Sequence, residues 1–237
     1  MDAHDLPCMA DIDSSLQYFC EEVSHSHKVV LTGECADEVF GGYPWFHREE
    51  MLNSGTFPWT PSLTPRKVLL KDDLVKSLHM DEYVKKIYDR SVSEINVLPS
   101  ENEIETNRRR IGYLNIRFFM QTLLNRMDRT SMFSGLEACV PFADRKLVDY
   151  VFNIPWEMKA KDGLVKNILR QASKGLLPDE ILFRRKSPYP KTYNPYYENL
   201  LAKRLKEVLA DSASPLHSLL DFCLLYTSDA ADDTPCV

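Results

Sequence analysis

A chain of 237 residues has room for one substantial domain or two small ones. Its 44% hydrophobic and 11% aromatic content suffices for a buried core, and 35 acids against 29 bases leave a net charge of -6, which excludes nucleic-acid binding led by phosphate attraction. No apolar run approaches the roughly 18–20 residues of a membrane span, and the acidic opening MDAHDLPCMADID lacks the basic-then-apolar pattern of a secretion signal, so a cytoplasmic chain without a membrane partner is expected.

Asp13–Ser24 places Leu16, Phe19, Cys20 and Val23 at helical spacing, with Asp13 or Ser14 as N-cap. Lys28–Thr32 follows as a short β-branched apolar run, of the kind that forms a strand buried on both faces. Gly33 breaks the run, Ala36–Phe40 can begin a helix, and Gly41-Gly42 ends it. The order helix, strand, glycine turn, helix is a piece of an open α/β sheet, in which ligands sit beyond the carboxyl ends of the strands. Residues 53–64, rich in Pro, Gly, Ser and Thr around Phe57 and Trp59, read as a loop or insertion. Beyond them the pattern is helical. Asp81 to about Ile95 and Glu101 to about Asn125 are predicted helices, the second with Ser100 and Glu103 as a capping box. Arg145–Asn153, Gly163–Ser173 and Tyr196–Ala210 follow. The expected fold is α/β with one or a few parallel strands, mostly α-helical over the C-terminal two thirds, and residues 1–221 are expected to form one partial domain.

Phe222–Val237 bunches its apolar residues ahead of a small, acidic, aperiodic stretch. It resembles the peptide made when a reading frame runs into sequencing-adapter DNA and is set apart as a non-native tail. Cys8, Cys20, Cys35, Cys139, Cys223 and Cys236 include no Cys-x-x-Cys pair, and His25 and His27 have no Cys or acid at metal-ligand spacing, so free thiols are expected.

The chemistry is concentrated in Thr32–Tyr43, TGECADEVFGGY. A strand ending in Thr-Gly can face its backbone N–H groups toward a ligand, since Gly33 permits close approach and unusual dihedrals. Glu34, Asp37 and Glu38 follow within a helical turn, with Glu34 and Asp37 on one face. Three carboxylates there suit Mg²⁺, and could equally orient an amine, act as a general base, or stand in a solvated acidic turn.

TGECADEVFGGY resembles the S-G-E-x-x-D-E-x-F-G-G-Y signature of the glutamine-hydrolysing asparagine synthetases and their amide-forming relatives, with Thr32 in place of Ser. Arg126, Asp128, Arg129, Ser131, Met132, Glu137, Pro141, Phe142 and Asp144 match a second signature of that family, R-x-D-R-x-(S/T)-M-x-x-x-x-E-x-R-x-P-F-x-D. Cys139 departs from it, standing where the family carries Arg. Leu182–Tyr189 resembles the segment with the family's essential lysine, which falls on Lys186. The likeness runs through Asp5–Asp211 and implies a partial adenine-nucleotide α-hydrolase-like domain of the PP-loop ATP pyrophosphatase type.

The resemblance implies an ATP- and Mg²⁺-dependent ligase that converts aspartate to asparagine through β-aspartyl-AMP, with ammonia derived from glutamine. In that mapping Asp37 holds Mg²⁺ and phosphate oxygens, and Thr32 and Gly33 contact the nucleotide. Glu34 orients ammonia and accepts its proton, and Lys186 neutralises the leaving pyrophosphate. Arg126, Asp128 and Arg129 read as an ion-pair network steadying the wall of the site, and Arg108-Arg109-Arg110 as a solvated helix face. Two family features are missing: the N-terminal glutaminase domain with its leading cysteine, and the phosphate loop Ser-Gly-Gly-x-Asp-Ser-Ser, of which Asp13-Ser14-Ser15 keeps three letters and no glycine. An exposed sheet edge and little synthetase turnover by this polypeptide alone are expected in consequence. A homodimer is a further expected assembly. A β-lactam synthetase or peptide cyclase type of ligase, or a non-catalytic nucleotide-binding scaffold, is the alternative.

Overall fold

The computed structural model describes residues 2–5, 12–186 and 194–221. The expected tail from Phe222 onward, Cys8, and the tyrosines at 189 and 193 lie outside the described residues. α1 (Ile12–Ser24) turns into β1 (Val29–Leu31), and α2 (Ala36–Phe40) follows closely. α3 (Glu49–Leu52), α4 (Thr64–Lys67), α5 (Asp72–Leu78) and α6 (Met80–Ser93) come next. α7 (Glu103–Leu114) and α8 (Gln121–Phe133) are joined without a break by a π-helical stretch, Asn115–Met120. β2 (Glu137–Cys139), α9 (Arg145–Phe152), α10 (Trp156–Lys159), α11 (Asn167–Ala172), α12 (Asp179–Leu182) and α13 (Pro195–Ala210) complete the order.

The chain divides into two compact units, one drawn from residues 1–58 and 92–191 and the other from 59–91 and 192–237. In the first, β1 pairs in parallel with β2, Val30 facing Ala138 in register. β2 was not among the expected strands: Glu-Ala-Cys has neither alternation nor β-branching, and pairing rather than propensity makes it a strand. Val30 and Ala138 pack on a cluster of Leu16, Cys20, Met127 and Leu136 from α1, α8 and the turn before β2. The other face is open, for Val29 and Leu31 are 52% and 77% exposed, which corrects the expectation of a strand buried on both faces. α1 and α8 cover only one side of the two-stranded sheet.

α2 is five residues long, too short to persist alone. Its stability comes from a second cluster, Cys35, Ala36, Val39, Phe40, Met120 and Val151, with Phe142 edge-on to Phe40 at 6.0 Å. Burying a side chain of this size contributes about 1.5–3 kcal/mol. That packing also holds Cys35 left-handed at φ 68°, where the sequence pointed to Gly33 for unusual dihedrals. Cys35 is 1% exposed, so its place in the core sets its backbone.

Helix boundaries shift for identifiable reasons. The capping box is Asn102 with Glu105, not Ser100 with Glu103: the Asn102 Oδ1 accepts from the Glu105 N–H at 2.9 Å and Glu105 returns the bond at 3.0 Å. The predicted helix 163–173 shrinks to α11 because Asp162, Gly163 and Lys166 all have positive φ. In the second unit, read by itself, the chain at Leu70 bridges Leu220, and the Lys71 N–H donates to the Leu219 carbonyl at 3.0 Å. Lys67 pairs with Asp81 there. No helix among the described residues is long and apolar enough to cross a membrane.

Candidate functional site

The carboxyl end of β1 is where the first unit leaves polar groups waiting. The Thr32 N–H closes the ladder on the Cys139 carbonyl at 2.9 Å, while the Thr32 hydroxyl is buried with no hydrogen-bond partner. Gly33 is exposed, and a methyl group built on it meets nothing within 4 Å, so the strand end opens onto free space. Glu34 turns back toward α8, where Arg126 donates to its Oε1 at 3.2 Å. Its Oε2 is buried without a partner. Burial pushes the Glu34 carboxyl above the usual carboxylate range, and Arg126 pulls partly against it. Arg126 is shared with Asp13 of α1, 4.0 Å away and itself buried. Buried polar atoms left unpaired in a native fold call for an explanation, and a ligand supplying donors is one.

Asp37 carries the densest charge contact. Its Oδ1 lies 3.1 Å from the Lys166 ammonium and 3.1 Å from that of Lys186. Gly42 makes this possible: an alanine Cβ there would fall 1.7 Å from the same oxygen. Lys186 also donates to the Gly42 carbonyl at 3.3 Å and stands 4.1 Å from the centre of the Tyr43 ring, a cation–π contact. The Tyr43 hydroxyl donates to Glu38, which is 3% exposed, and burial raises the pKa of both groups. Lys166 sits left-handed at φ 55° ahead of α11, a costly conformation for a lysine that its surroundings enforce.

These groups open into a cavity of about 410 Å³ walled by Asp37, Lys166, Arg170, Arg184, Arg185 and Lys186 among others. Arg170 does not face the cavity as a free cation. Its Nε donates to the Val165 carbonyl at 2.9 Å, its Nη1 to Leu182 and its Nη2 to Arg184 at 3.3 Å. It thus ties the turn before Lys166 to the segment before Lys186. The chemistry on offer is recognition of a polyanion by two held ammonium groups beside a strand end with unpaired polar atoms.

Of the expected site residues, Asp37 and Lys186 are in contact, and Thr32, Gly33 and Glu34 lead to them along one turn. The three acids of the motif diverge: Glu34 to Arg126, Asp37 to two lysines, Glu38 to Tyr43. No group of three metal-ligating side chains converges among the described residues. With two ammonium groups on the one oxygen, the carboxylates as arranged do not fit a resident Mg²⁺. Arg126 joins the site, whereas Arg129 turns to Asp5 at 2.7 Å and to Asn125. Arg108 and Arg109 are not a solvated face: Arg108 stacks on Trp156 at 4.7 Å and Arg109 pairs with Glu101 at 2.6 Å. Lys166, Arg170 and the Glu38–Tyr43 pair were missed. Lys166 is a single lysine in Gly-Leu-Val-Lys with no pattern around it.

Comparison with known proteins identifies the family. The family model described as asparagine synthase matches residues 1–227. Asparagine synthetase [glutamine-hydrolyzing] 3 of Bacillus subtilis is 51% identical over 217 residues, covering 92% of this chain and 35% of that protein. Asparagine synthetase [glutamine-hydrolyzing] 1 of the same organism is 27% identical over 259 aligned residues, covering 95% of this chain and 40% of its own length. The Rattus norvegicus asparagine synthetase [glutamine-hydrolyzing] is 43% identical over 67 residues, 27% of this chain and 12% of that protein. The chain thus spans 35% and 40% of the length of the two Bacillus subtilis relatives. A match over nearly its whole length makes this chain a member of the asparagine synthase family.

Proposed function

We propose that the chain contributes the synthetase half of ATP-dependent asparagine formation, within a nucleotide-binding domain of the PP-loop pyrophosphatase type. The side-chain carboxylate of aspartate attacks the α-phosphorus of ATP, forming β-aspartyl-AMP and releasing pyrophosphate. Ammonia, drawn from glutamine by a glutaminase domain, then attacks the acyl carbon and expels AMP with loss of one proton. A cytoplasmic setting suits these substrates.

The observation that carries the reading is the Asp37–Lys166–Lys186 cluster in its basic cavity beside Thr32 and Gly33. Asp37 holds two cations where one carboxylate balances one of them. The remaining positive charge, with Arg184 and Arg185 on the same wall, favours the pyrophosphate as it departs. Glu34, with its raised pKa and one oxygen fixed by Arg126, has its second oxygen left to accept a proton from ammonia.

Calorimetric titration of the chain with pyrophosphate tests this. Lys166→Met and Lys186→Met should each weaken binding about tenfold, or about 1.4 kcal/mol. Undiminished binding in both variants would place the polyanion elsewhere. Pyrophosphate exchange into ATP, run on the enzyme with aspartate and with other carboxylic acids, identifies the acid.

A further inference from the structure

A second cavity, of about 220 Å³, lies in the first unit and takes no part in the chemistry above. α2 contributes to both: Asp37 lines the basic cavity, whereas Glu38 and Val39 line this one. Its apolar wall is Val39, Phe46, Ile116, Phe152, Ile154 and Trp156. Two cations on it form no ion pair among the described residues. The Lys159 ammonium donates only to the Phe152 carbonyl, at 3.3 Å. The Arg108 guanidinium donates to the Phe46 carbonyl at 3.4 Å and lies over the Trp156 ring. Neither forms an ion pair among the described residues.

The acids on the same wall are already engaged. Glu101 accepts from Arg109 at 2.6 Å, which holds its carboxyl below the usual range. Glu105 caps α7, lending Arg108 only part of the stabilisation that burial removes. Glu38 is held by Tyr43, and burial raises its pKa. Burial, with Arg109 close by, pulls the Lys159 ammonium down to about 8. A fold gains nothing by leaving half-buried cations incompletely compensated beside a void, because Lys159 has surrendered water without an ion pair and Arg108 for only part of one.

We propose that this cavity is a binding site for a small organic carboxylate, its apolar body against Phe152, Ile154 and Trp156 and its carboxylate paired with Lys159. Arg108 adds to the positive field there. The flat wall and the single strong anchor select a monoanion with an aromatic or branched apolar body over inorganic phosphate, which would leave that wall bare. The site is distinct from the pyrophosphate cavity and does not depend on the reading of it.

Ligand-detected NMR on the 237-residue chain tests the proposal with benzoate, its neutral isostere benzamide, and inorganic phosphate. Saturable benzoate binding is expected, at least about tenfold tighter than benzamide. Lys159→Met should weaken benzoate about tenfold and leave benzamide unchanged, and pyrophosphate should not displace benzoate. Equal binding of benzoate and benzamide would reduce the cavity to an apolar crevice and overturn the proposal. So would wild-type affinity in Lys159→Met, competition by pyrophosphate, or no benzoate binding at millimolar concentration. Should Lys159→Met unfold, Arg108→Gln carries the same test: benzoate weakened severalfold supports the site, and benzoate unaffected refutes it.

Discussion

Gly42→Ala isolates the contact on which the lysine cluster depends. The new methyl would lie 1.7 Å from the Asp37 Oδ1 and 2.7 Å from its Cγ, with the Asp37 Cα at 3.1 Å. The carboxylate must rotate away, since the backbone of α2 is pinned by its buried cluster. An off-rotamer side chain costs about 0.5–1.5 kcal/mol. The two lysine contacts, between groups 21% to 32% exposed, are worth about 0.2–1 kcal/mol each. The sum is about 1–3.5 kcal/mol, or a melting midpoint lower by about 2–14 °C for a chain of this size. Calorimetry on Gly42→Ala, Asp37→Ala and the double variant reads the coupling directly. With Asp37 truncated the nearest clash disappears, so Gly42→Ala should cost at least about 1 kcal/mol less in that background. Additive effects, within about 0.5 kcal/mol, would refute the account of Gly42 as the space Asp37 needs. Gly33→Ala is the control: with nothing within 4 Å of its Cβ, stability should hold within about 0.5 kcal/mol.

Three further outcomes are expected. Arg126→Met strands the Glu34 carboxylate without its donor and should cost about 2–4 kcal/mol near pH 8. That deficit should shrink toward pH 5, because the variant's folded state takes up the proton on Glu34, already raised in pKa, more tightly than the unfolded chain; urea unfolding at both pH values decides, and an equal deficit sinks the idea. Glu38 also binds its proton more tightly when folded, so its contribution is full below the usual carboxylate range and is lost as pH rises through the raised value. Glu38→Gln, still accepting from Tyr43, should flatten that fall and match or exceed wild-type stability near pH 8; a uniform loss across pH would count against it. Arg170→Ala removes three donors from the carbonyls of Val165, Leu182 and Arg184, and amide exchange between Leu182 and Lys186 should quicken at least about tenfold. Arg170→Lys should not restore protection, as one ammonium cannot span three diverging acceptors; restoration by Lys would show that charge alone suffices.

The parts of this molecule that were legible from sequence are those where a local rule and the fold agree. α1 shows buried positions at Leu16 and Cys20, α2 its glycine stop, and α13 runs Pro195–Ala210 against the expected Tyr196–Ala210. Thr32–Tyr43 stood out as a candidate site through its resemblance to a family signature, since its three acids and three glycines alone would equally suit a solvated acidic turn. What stayed hidden depends on distant neighbours. β2 is a strand through pairing with β1, and Lys166 matters because α11 begins in a left-handed turn that aims it at Asp37. The three arginines from 108 looked like a solvated face because helical spacing cannot show that Trp156 and Glu101 lie against them.

One short segment explains why the acids of the motif, adjacent in sequence, do different things. The chain leaves β1 at Thr32, turns left-handed at Cys35 and completes little more than one helical turn before Gly41 reverses it at φ 70°. In that space Glu34 points to α8, Asp37 to the lysines and Glu38 to Tyr43. Each carboxylate therefore has its own partner and environment: burial raises the pKa of Glu34 and Glu38, and Asp37 lines the basic cavity. Under the proposed function, the raised pKa of Glu34 suits proton transfer and the two ammonium groups at Asp37 suit anion binding, three positions apart. A single carboxylate cluster could not do both, since a charge that holds lysines is a poor base and a base kept near neutral charge is a poor anchor for them.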